Sequence, residues 1–170
     1  MKRQTAAFVT VPGDELVGDF RLRHQPRAVA RLLPPHVTVL PPFWRDREDD
    51  EPFVAALAEC FGTMEPFEAE LVLVSSFPRH VWLALEPHER FVALIAGARD
   101  RFPELVRDDR EPVPHLTIGE VGKGETRSAV ARMAEEEIAP RLPFAFSVRD
   151  VGLFEVRPDG WHEIHRFELG

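Results

Sequence analysis

The chain has 170 residues, 44% of them hydrophobic and 29% charged, which is enough to bury a substantial core in one domain. Its formal net charge of −8 argues against a broad electrostatic grip on long nucleic acid, because such a grip needs many Lys and Arg side chains facing phosphates. The single cysteine, Cys60, excludes an internal disulfide, which favours a reducing compartment. The apolar run at 6–11 is too short for a signal peptide or a membrane span, so we expect a cytoplasmic protein without membrane contact.

In the first half of the chain, short β-rich runs predict strands and longer runs with apolar residues at helical spacing predict helices. Prolines mark many of the boundaries, and acidic residues at the start of one run favour the positive end of a helix dipole. The predicted elements are a strand at 5–12, the end of a helix at 26–33, a strand at 36–40, a helix at 47–64, strands at 67–77 and 80–86, and a helix at 88–102.

The second half of the chain resembles the first in outline. A strand at 115–121 is followed by a helix at 124–142 and by a pair of strands at 144–156 and 161–169, with a turn at 158–160. Each half therefore runs in the order strand, helix, strand, strand, and no long flexible linker divides them. We expect a single α+β domain over residues 1–170 that is built from two related lobes.

Two of the predicted strands carry the same pattern of polar residues. "PHVTVLPPF" contains His36 and Thr38, and "PHLTIGE" contains His115 and Thr117. Because the side chains of a strand alternate between its two faces, each histidine shares a face with its threonine, while the aliphatic residues anchor the strand in the core. The imidazole and the hydroxyl are then roughly 7 Å apart along the strand, close enough for both to reach one tetrahedral anion.

The repetition of this pattern is unlike chance. Seven histidines and six threonines in 170 residues predict about a quarter of one His-x-Thr. The chain has two, and each is preceded by proline and followed by an aliphatic residue. Alternation also predicts that Leu40 and Gly119 lie on the same face as the histidine of their strand.

Two His-x-Thr-aliphatic motifs separated by 79 residues, in a chain of this length, resemble the two-histidine phosphoesterase superfamily. That superfamily includes bacterial 2′-5′ RNA ligase-like proteins and 2′,3′-cyclic nucleotide phosphodiesterases. The resemblance implies a bilobal, pseudo-symmetric α+β fold in which two antiparallel sheets face a central cleft, with helices on the outside. The matched functional positions are His36, Thr38, His115 and Thr117. Glu120 follows the second motif, where members often have a basic residue.

The chemistry that the resemblance implies suits these residue types. Opening a cyclic phosphodiester needs a base to deprotonate water and an acid to protonate the departing ribose oxygen, and histidine titrates nearest to neutral pH. We expect His36 and His115 to be these two groups, with the order of roles left open. Thr38 and Thr117 would donate hydrogen bonds to the phosphate oxygens as negative charge develops. The scheme requires no metal and no cofactor.

Three alternative functions remain open at this level. The same four side chains could serve RNA end-joining through a 2′-5′ linkage, which is the reverse reaction, or the fold could bind a nucleotide or RNA end without catalysis. A metal hydrolase is a weaker alternative, because His162 and His165 lie three residues apart in a predicted strand and should point to opposite faces. The acidic charge favours a small nucleotide or an RNA end as substrate, and we expect a monomer.

Further contacts to a ligand are predicted less sharply. Two arginines, Arg45 and Arg79, could assist phosphate binding or could be solvated at the surface. Aromatic side chains near the motif strands could stack on a base or fill the core. These aromatic residues are Phe43, Trp44, Phe77, Phe154 and Trp161.

Overall fold

The computed structural model describes residues 2–46 and 50–170, which form eight strands and five helices. In chain order these are β1 Lys2–Thr10, α1 Asp14–His24, α2 Pro26–Ala30, β2 His36–Asp46, α3 Asp50–Gly62, β3 Phe67–Phe77, β4 His80–Glu86, α4 His88–Arg101, β5 His115–Glu120, α5 Arg127–Glu137, β6 Phe144–Val148, β7 Asp150–Arg157 and β8 Gly160–Glu168. The start of the helix predicted at 47–64 lies outside the described residues at 47–49.

All eight strands belong to one antiparallel sheet with the order β6-β3-β4-β5-β2-β1-β7-β8. The motif strands β2 and β5 are its two central strands. In the described part of the chain they pair at one position alone, Val37 opposite Leu116. The sheet therefore consists of two four-stranded halves: the His36 half-sheet, β2-β1-β7-β8, and the His115 half-sheet, β5-β4-β3-β6. This arrangement confirms the predicted α+β fold class, with the two expected sheets joined into one.

The halves of the sheet are not the halves of the sequence. The β3-β4 hairpin follows β2 along the chain, yet it pairs with β5 and β6 in the His115 half-sheet. The β7-β8 hairpin follows β5, yet it pairs with β1 in the His36 half-sheet. Each lobe therefore draws strands from both sequence halves, which differs from the predicted simple repetition of strand, helix, strand, strand.

The predicted strand at 144–156 is in fact two strands at opposite ends of the sheet. β6 pairs with β3 at one edge, whereas β7 lies between β1 and β8 near the other edge. Arg149 separates them. A continuous run of strand-forming residues conceals such a break, because strand propensity does not specify the pairing partner.

One face of the sheet is covered by helices and holds the main core. α1 packs against β5, α4 against β2, and α3 against β8, while α5 packs against β3 and β4. The aliphatic residues of both motif strands are buried in this core, at most 1% exposed: Val37, Val39, Leu116 and Ile118. No helix among the described residues is long and apolar enough to span a bilayer.

Candidate active site

The pairing of β2 with β5 brings the two motifs together on the face opposite the core. Val37 lies opposite Leu116. Continuing this antiparallel register by one residue in each direction places each motif histidine opposite the threonine of the other motif. Directly opposite side chains are about 5 Å apart at Cβ and diagonal ones about 7–8 Å, so the histidines occupy one diagonal of a four-residue square and the threonines the other. The four partly buried side chains are His36, Thr38, His115 and Thr117.

A β-bulge directly follows the threonine in both motif strands. The pairing of β1 with β2 skips Val39, and the pairing of β4 with β5 skips Ile118. Because a bulge adds a residue and turns the strand, Leu40 and Gly119 are buried instead of extending the histidine face. The prediction that these two residues share that face was wrong. A Cβ on Gly119 would lie 3.1 Å from the Cβ of His24 on α1, which explains the absence of a side chain there.

The two histidine rings are oriented by the same backbone contact. His36 Nδ1 lies 2.8 Å from the carbonyl oxygen of Pro34, and His115 Nδ1 lies 2.7 Å from the carbonyl oxygen of Val113. A carbonyl only accepts hydrogen bonds, so Nδ1 carries the proton and donates it in both rings. In the neutral rings Nε2 is therefore the unprotonated nitrogen, available as a base. The repeated Pro-His dipeptide in the sequence is the signal of this shared device.

An aromatic ring from the neighbouring strand supports each histidine. Phe8 pairs with Thr38 across β1 and β2, and its ring centroid lies 4.0 Å from that of His36. Trp82 pairs with Thr117 across β4 and β5, and its ring centroid lies 5.7 Å from that of His115. Sequence reasoning missed both aromatic residues, because the cross-strand register that brings them under the motifs is not a local property of the chain.

The aromatic candidates predicted from the sequence fall into three groups. Phe77 contacts the site directly, with its ring edge-on to His115 at 5.1 Å between centroids. Phe154 and Trp161 pack on Phe8 and so lie one layer away from the histidines. Phe43 is 5% exposed and belongs to the core, whereas Trp44 is 59% exposed.

Burial lowers the pKa of both motif histidines. The pKa of His36 falls from 6.5 to about 4, chiefly because its ring is withdrawn from water, with smaller contributions from the positive charges of Arg21 and His115. Burial also lowers the pKa of His115, and the charge of His80 adds to this effect. The influence of His115 on His36 is a further sign that the two rings are close together. Because both pKa values are lowered from 6.5, both rings are neutral at pH 7 without a bound anion.

A cleft of about 610 Å³ opens at the end of the site where β5 begins. Thr38 and His115 line it together with Phe77 and two arginines from outside the motif strands, Arg99 and Arg110, whereas His36 and Thr117 are not among its lining residues. Such a volume is typical of pockets for small molecules.

The arginines predicted from the sequence do not line this cleft. Arg45 donates from Nε to the hydroxyl of Thr5 and lies over the ring of Phe53. Arg79 is exposed in the turn between β3 and β4. The two arginines that do line the cleft were missed, because they are brought there by α4 and by the segment before β5 rather than by the motif strands.

The histidine pair on β8 does not form a metal centre. The pairing of β7 with β8 skips Ile164, so His162 faces Glu155 and His165 faces Leu153. This bulge returns the two histidines to one face, which contradicts the predicted opposite orientation. His162 Nε2 is 2.9 Å from an oxygen of Asp159. Across residues 2–46 and 50–170, no three His, Cys, Asp or Glu side chains lie together as metal ligands.

Comparison with protein families agrees with this geometry. Residues 10–160 match the model of the 2′-5′ RNA ligase superfamily. The chain belongs to this superfamily. The match spans both motif strands, and it confirms the resemblance to two-histidine phosphoesterases that the motifs indicate.

One related protein and several solved structures resemble this chain over nearly their whole length. A protein of Halalkalibacterium halodurans, named "Putative phosphoesterase BH1439", is 25% identical over 179 aligned residues, covering 100% of this chain and 98% of the relative. The crystal structure of E. coli LigT complexed with 3′-AMP has a TM-score of 0.67 and 16% identity, with 99% of each chain covered. LigT complexed with ATP gives a TM-score of 0.62 at 15% identity, again over 99% of each chain. The protein TT0787 of Thermus thermophilus gives a TM-score of 0.59 at 18% identity, over 98% of this chain and 97% of that one. At these identities the structures establish the fold that they share with this chain.

Proposed function

We propose that this protein is a metal-independent phosphodiesterase that opens 2′,3′-cyclic phosphodiesters of nucleotides or RNA ends. The observation that carries the proposal is the matched pair of imidazoles. Each ring is fixed through Nδ1 to a backbone carbonyl, which leaves Nε2 of His36 and of His115 as the reacting nitrogens on one face of the sheet. The two histidines lie on a diagonal, where residues are about 7–8 Å apart. This separation suits two side chains that act from opposite sides of one phosphorus atom.

In the proposed reaction, water attacks the phosphorus while one histidine takes a proton from it. A new P–O bond forms to the water oxygen, and the bond from phosphorus to one ribose oxygen breaks. The other histidine, protonated at Nε2, gives its proton to that departing oxygen, so the product is a ribose phosphate monoester. We assign His36 as the base, because burial lowers its pKa to about 4 and keeps it neutral, and His115, which lines the cleft, as the acid.

The threonine hydroxyls complete the proposed site. Thr38 lies across from His115 and Thr117 across from His36 in the continued register. Their hydroxyls would donate to the non-bridging phosphate oxygens, where negative charge increases in the transition state. Donors of this kind are typically worth about 10²–10³-fold in rate. A bound phosphate anion would also favour the protonated form of His115 and so prepare it as the acid.

The size of the site and the structural neighbours support a nucleotide-sized substrate. E. coli LigT, which shares the fold, has been crystallised with 3′-AMP and with ATP. The cleft of about 610 Å³ beside Thr38 and His115 is of a suitable volume for one nucleotide. The net charge of −8 disfavours extended contact with a long strand.

The test is incubation with the four 2′,3′-cyclic nucleotides in the presence of EDTA, with identification of the 2′ or 3′ phosphate product. We expect one isomer to form and the rate to be unchanged by the chelator. His36→Asn and His115→Asn should each lower the rate by about 10³-fold or more, because asparagine can keep the contact to the backbone carbonyl but lacks Nε2. His88→Asn, at an exposed histidine on α4, is the matched control and should react normally.

Three results would overturn or redirect the proposal. Loss of activity with EDTA would replace the two-histidine scheme with a metal-dependent one. Turnover by either His36→Asn or His115→Asn at the rate of His88→Asn would remove that histidine from the reaction. If no cyclic nucleotide is opened, but RNA ends are joined through a 2′-5′ linkage, the protein uses the same site in the reverse direction.

A further inference from the structure

The cleft continues beyond the motif side chains toward two arginines. Arg99 lies in the last turn of α4, and Arg110 lies in the segment that leads into β5. Both line the same cavity as Thr38 and His115. A phosphate held by Thr38 and His115 would therefore lie in one cleft with two guanidinium groups that the proposed reaction does not use. The carboxylates of Asp108 and Glu111 also line this cleft.

Arg99 is held in place by a backbone contact, and its charge also helps to lower the pKa of the nearby Asp108 carboxyl. Its Nη1 donates to the carbonyl of Arg110 at 2.9 Å, which fixes the guanidinium against the wall of the cleft. Its Nε is buried without a hydrogen-bond partner. Of the residues that the structure describes, no carboxylate forms an ion pair with Arg99. A buried N–H without an acceptor is unfavourable, so the Arg99 side chain is not satisfied by the protein alone. An anion in the cleft would supply an acceptor to the part of the guanidinium that lines it.

Arg110 is paired with a neighbour that can be displaced. Its Nε and Nη2 donate to the two carboxylate oxygens of Asp108, at 2.6–3.0 Å. Arg110 lowers the pKa of Asp108 to about 2, so the pair is ionised at neutral pH. The Arg110 side chain is 85% exposed and that of Asp108 45% exposed. Exposed ion pairs are weak, and an anion in the cleft could therefore compete with Asp108 for Arg110.

We propose that Arg99, with Arg110 beside it, forms a second phosphate subsite, so that the preferred substrate carries a second phosphate in addition to the cyclic one. This inference rests on the proposed function. When the 2′ and 3′ oxygens of a ribose are both held in the cyclic phosphate, the 5′ oxygen is the remaining position on the sugar for another phosphate. The substrate class is therefore a 2′,3′-cyclic nucleotide with a phosphate on its 5′ side. That phosphate is either a free monoester or the diester linkage to a preceding nucleotide at an RNA end.

The subsite can be tested by binding alone, independently of turnover. Calorimetry with adenosine 3′-monophosphate and adenosine 3′,5′-bisphosphate measures the gain in affinity from the second phosphate. We expect a gain of about tenfold or more in the wild-type protein, consistent with a charge-assisted contact. In Arg99→Gln the bisphosphate should bind about as tightly as the monophosphate, and the affinity for the monophosphate should be nearly unchanged.

Three further variants separate a phosphate contact from a structural role. Arg99→Lys keeps the charge and should retain part of the gain. Asp108→Asn releases Arg110 and should increase the gain in affinity from the second phosphate. This effect is opposite in sign to that of Arg99→Gln. Arg90→Gln is the matched control, because Arg90 lies on the same helix but lines a different cavity, against Phe67. An equal gain in wild type and Arg99→Gln, or an equal loss in Arg90→Gln, would overturn the proposal.

Kinetics then distinguish the source of the second phosphate. The substrates are 2′,3′-cyclic AMP, its 5′-phosphorylated form, and a dinucleotide that ends in a 2′,3′-cyclic phosphate. We expect a lower KM for one or both substrates that carry the second phosphate, and a loss of this advantage in Arg99→Gln. A preference for the dinucleotide indicates an RNA end, and a preference for the monoester indicates a free nucleotide. Equal KM values for all three substrates would overturn the subsite, whereas an absence of any turnover with a retained binding gain would overturn the proposed function instead.

Discussion

At the scale of single residues, the chemistry of the site depends on which ring nitrogen of each histidine is free. The carbonyls of Pro34 and Val113 hold Nδ1 in both rings, and so Nε2 is the unprotonated nitrogen of the same neutral tautomer on both strands. From the sequence, we predicted that each motif histidine shares a strand face with its threonine. This prediction is possible because the period-two alternation of a strand is a local property. It did not predict Phe8 and Trp82, which reach the histidines through pairing with distant strands.

The burial of His36 predicts a pH dependence of stability. Folding lowers the pKa of His36 from 6.5 to about 4, so between these pH values the unfolded chain binds more protons than the folded chain. The free energy of unfolding should therefore fall as the pH drops through this window, by up to about 3 kcal/mol from this residue, less for the part of the ring that is exposed. His36→Asn lacks this titration, and the wild-type protein should lose stability relative to it between pH 6.5 and pH 4.

The measurement is urea unfolding of both proteins at several pH values. Contributions from carboxylates cancel in the difference between the two proteins, because they are present in both. A difference that stays constant from pH 7 to pH 4 would show that folding does not shift the pKa of His36.

At the scale of elements, the two bulges and the pairing of Val37 with Leu116 set the shape of the site. Each bulge ends the histidine face directly after the threonine, so each strand presents two polar side chains and then returns to the core. Bulges insert a residue without a strong sequence signature, which is why alternation placed Leu40 and Gly119 on the wrong face. The strand lengths of β3 and β4, in contrast, were predicted to the residue from their turn at Pro78.

The junction between the half-sheets gives a prediction at this scale. Leu116→Ala removes a fully buried side chain and should lower the free energy of unfolding by about 2–5 kcal/mol. Because Leu116 also joins β5 to β2, we expect a loss of at least about tenfold in kcat on a cyclic nucleotide, since a misplacement of about 1 Å can cost 10²-fold. Leu71→Ala, at an equally buried position within β3, should cost similar stability but leave kcat of the folded protein nearly unchanged. Equal kcat for the two variants would show that the junction does not position the histidines.

At the scale of the whole molecule, the core that both half-sheets share predicts that they unfold together. β1 and β2 from the start of the chain form the His36 half-sheet with β7 and β8 from its end, and the stretch between them, β3 to β6, builds the whole of the other half. The order of elements along the sequence was largely predicted, but their distribution between the halves was not. Pairings between distant strands are set by the packing of the complete chain, and no local pattern encodes them.

Tryptophan fluorescence can test this cooperativity. Trp82 reports on the His115 half-sheet and Trp161 on the His36 half-sheet. Each variant retains one of these two tryptophans, and its other tryptophans are replaced by phenylalanine. In each variant, the urea midpoint measured by fluorescence should equal the midpoint measured by circular dichroism. Two separate midpoints would mean that the half-sheets are independent domains, contrary to the expected single domain over 1–170.

The central claim is that His36 and His115 act together on one phosphorus atom, and a double-variant comparison tests it most directly. The quantity to measure is kcat on a 2′,3′-cyclic nucleotide for His36→Asn, His115→Asn and the protein that carries both changes. If the pair works as a unit, each single change removes most of the catalysis, and the double variant is slower than the worse single variant by no more than about threefold. If the two losses multiply, or if either single variant keeps the normal rate, the histidines do not share one reaction and the claim is wrong.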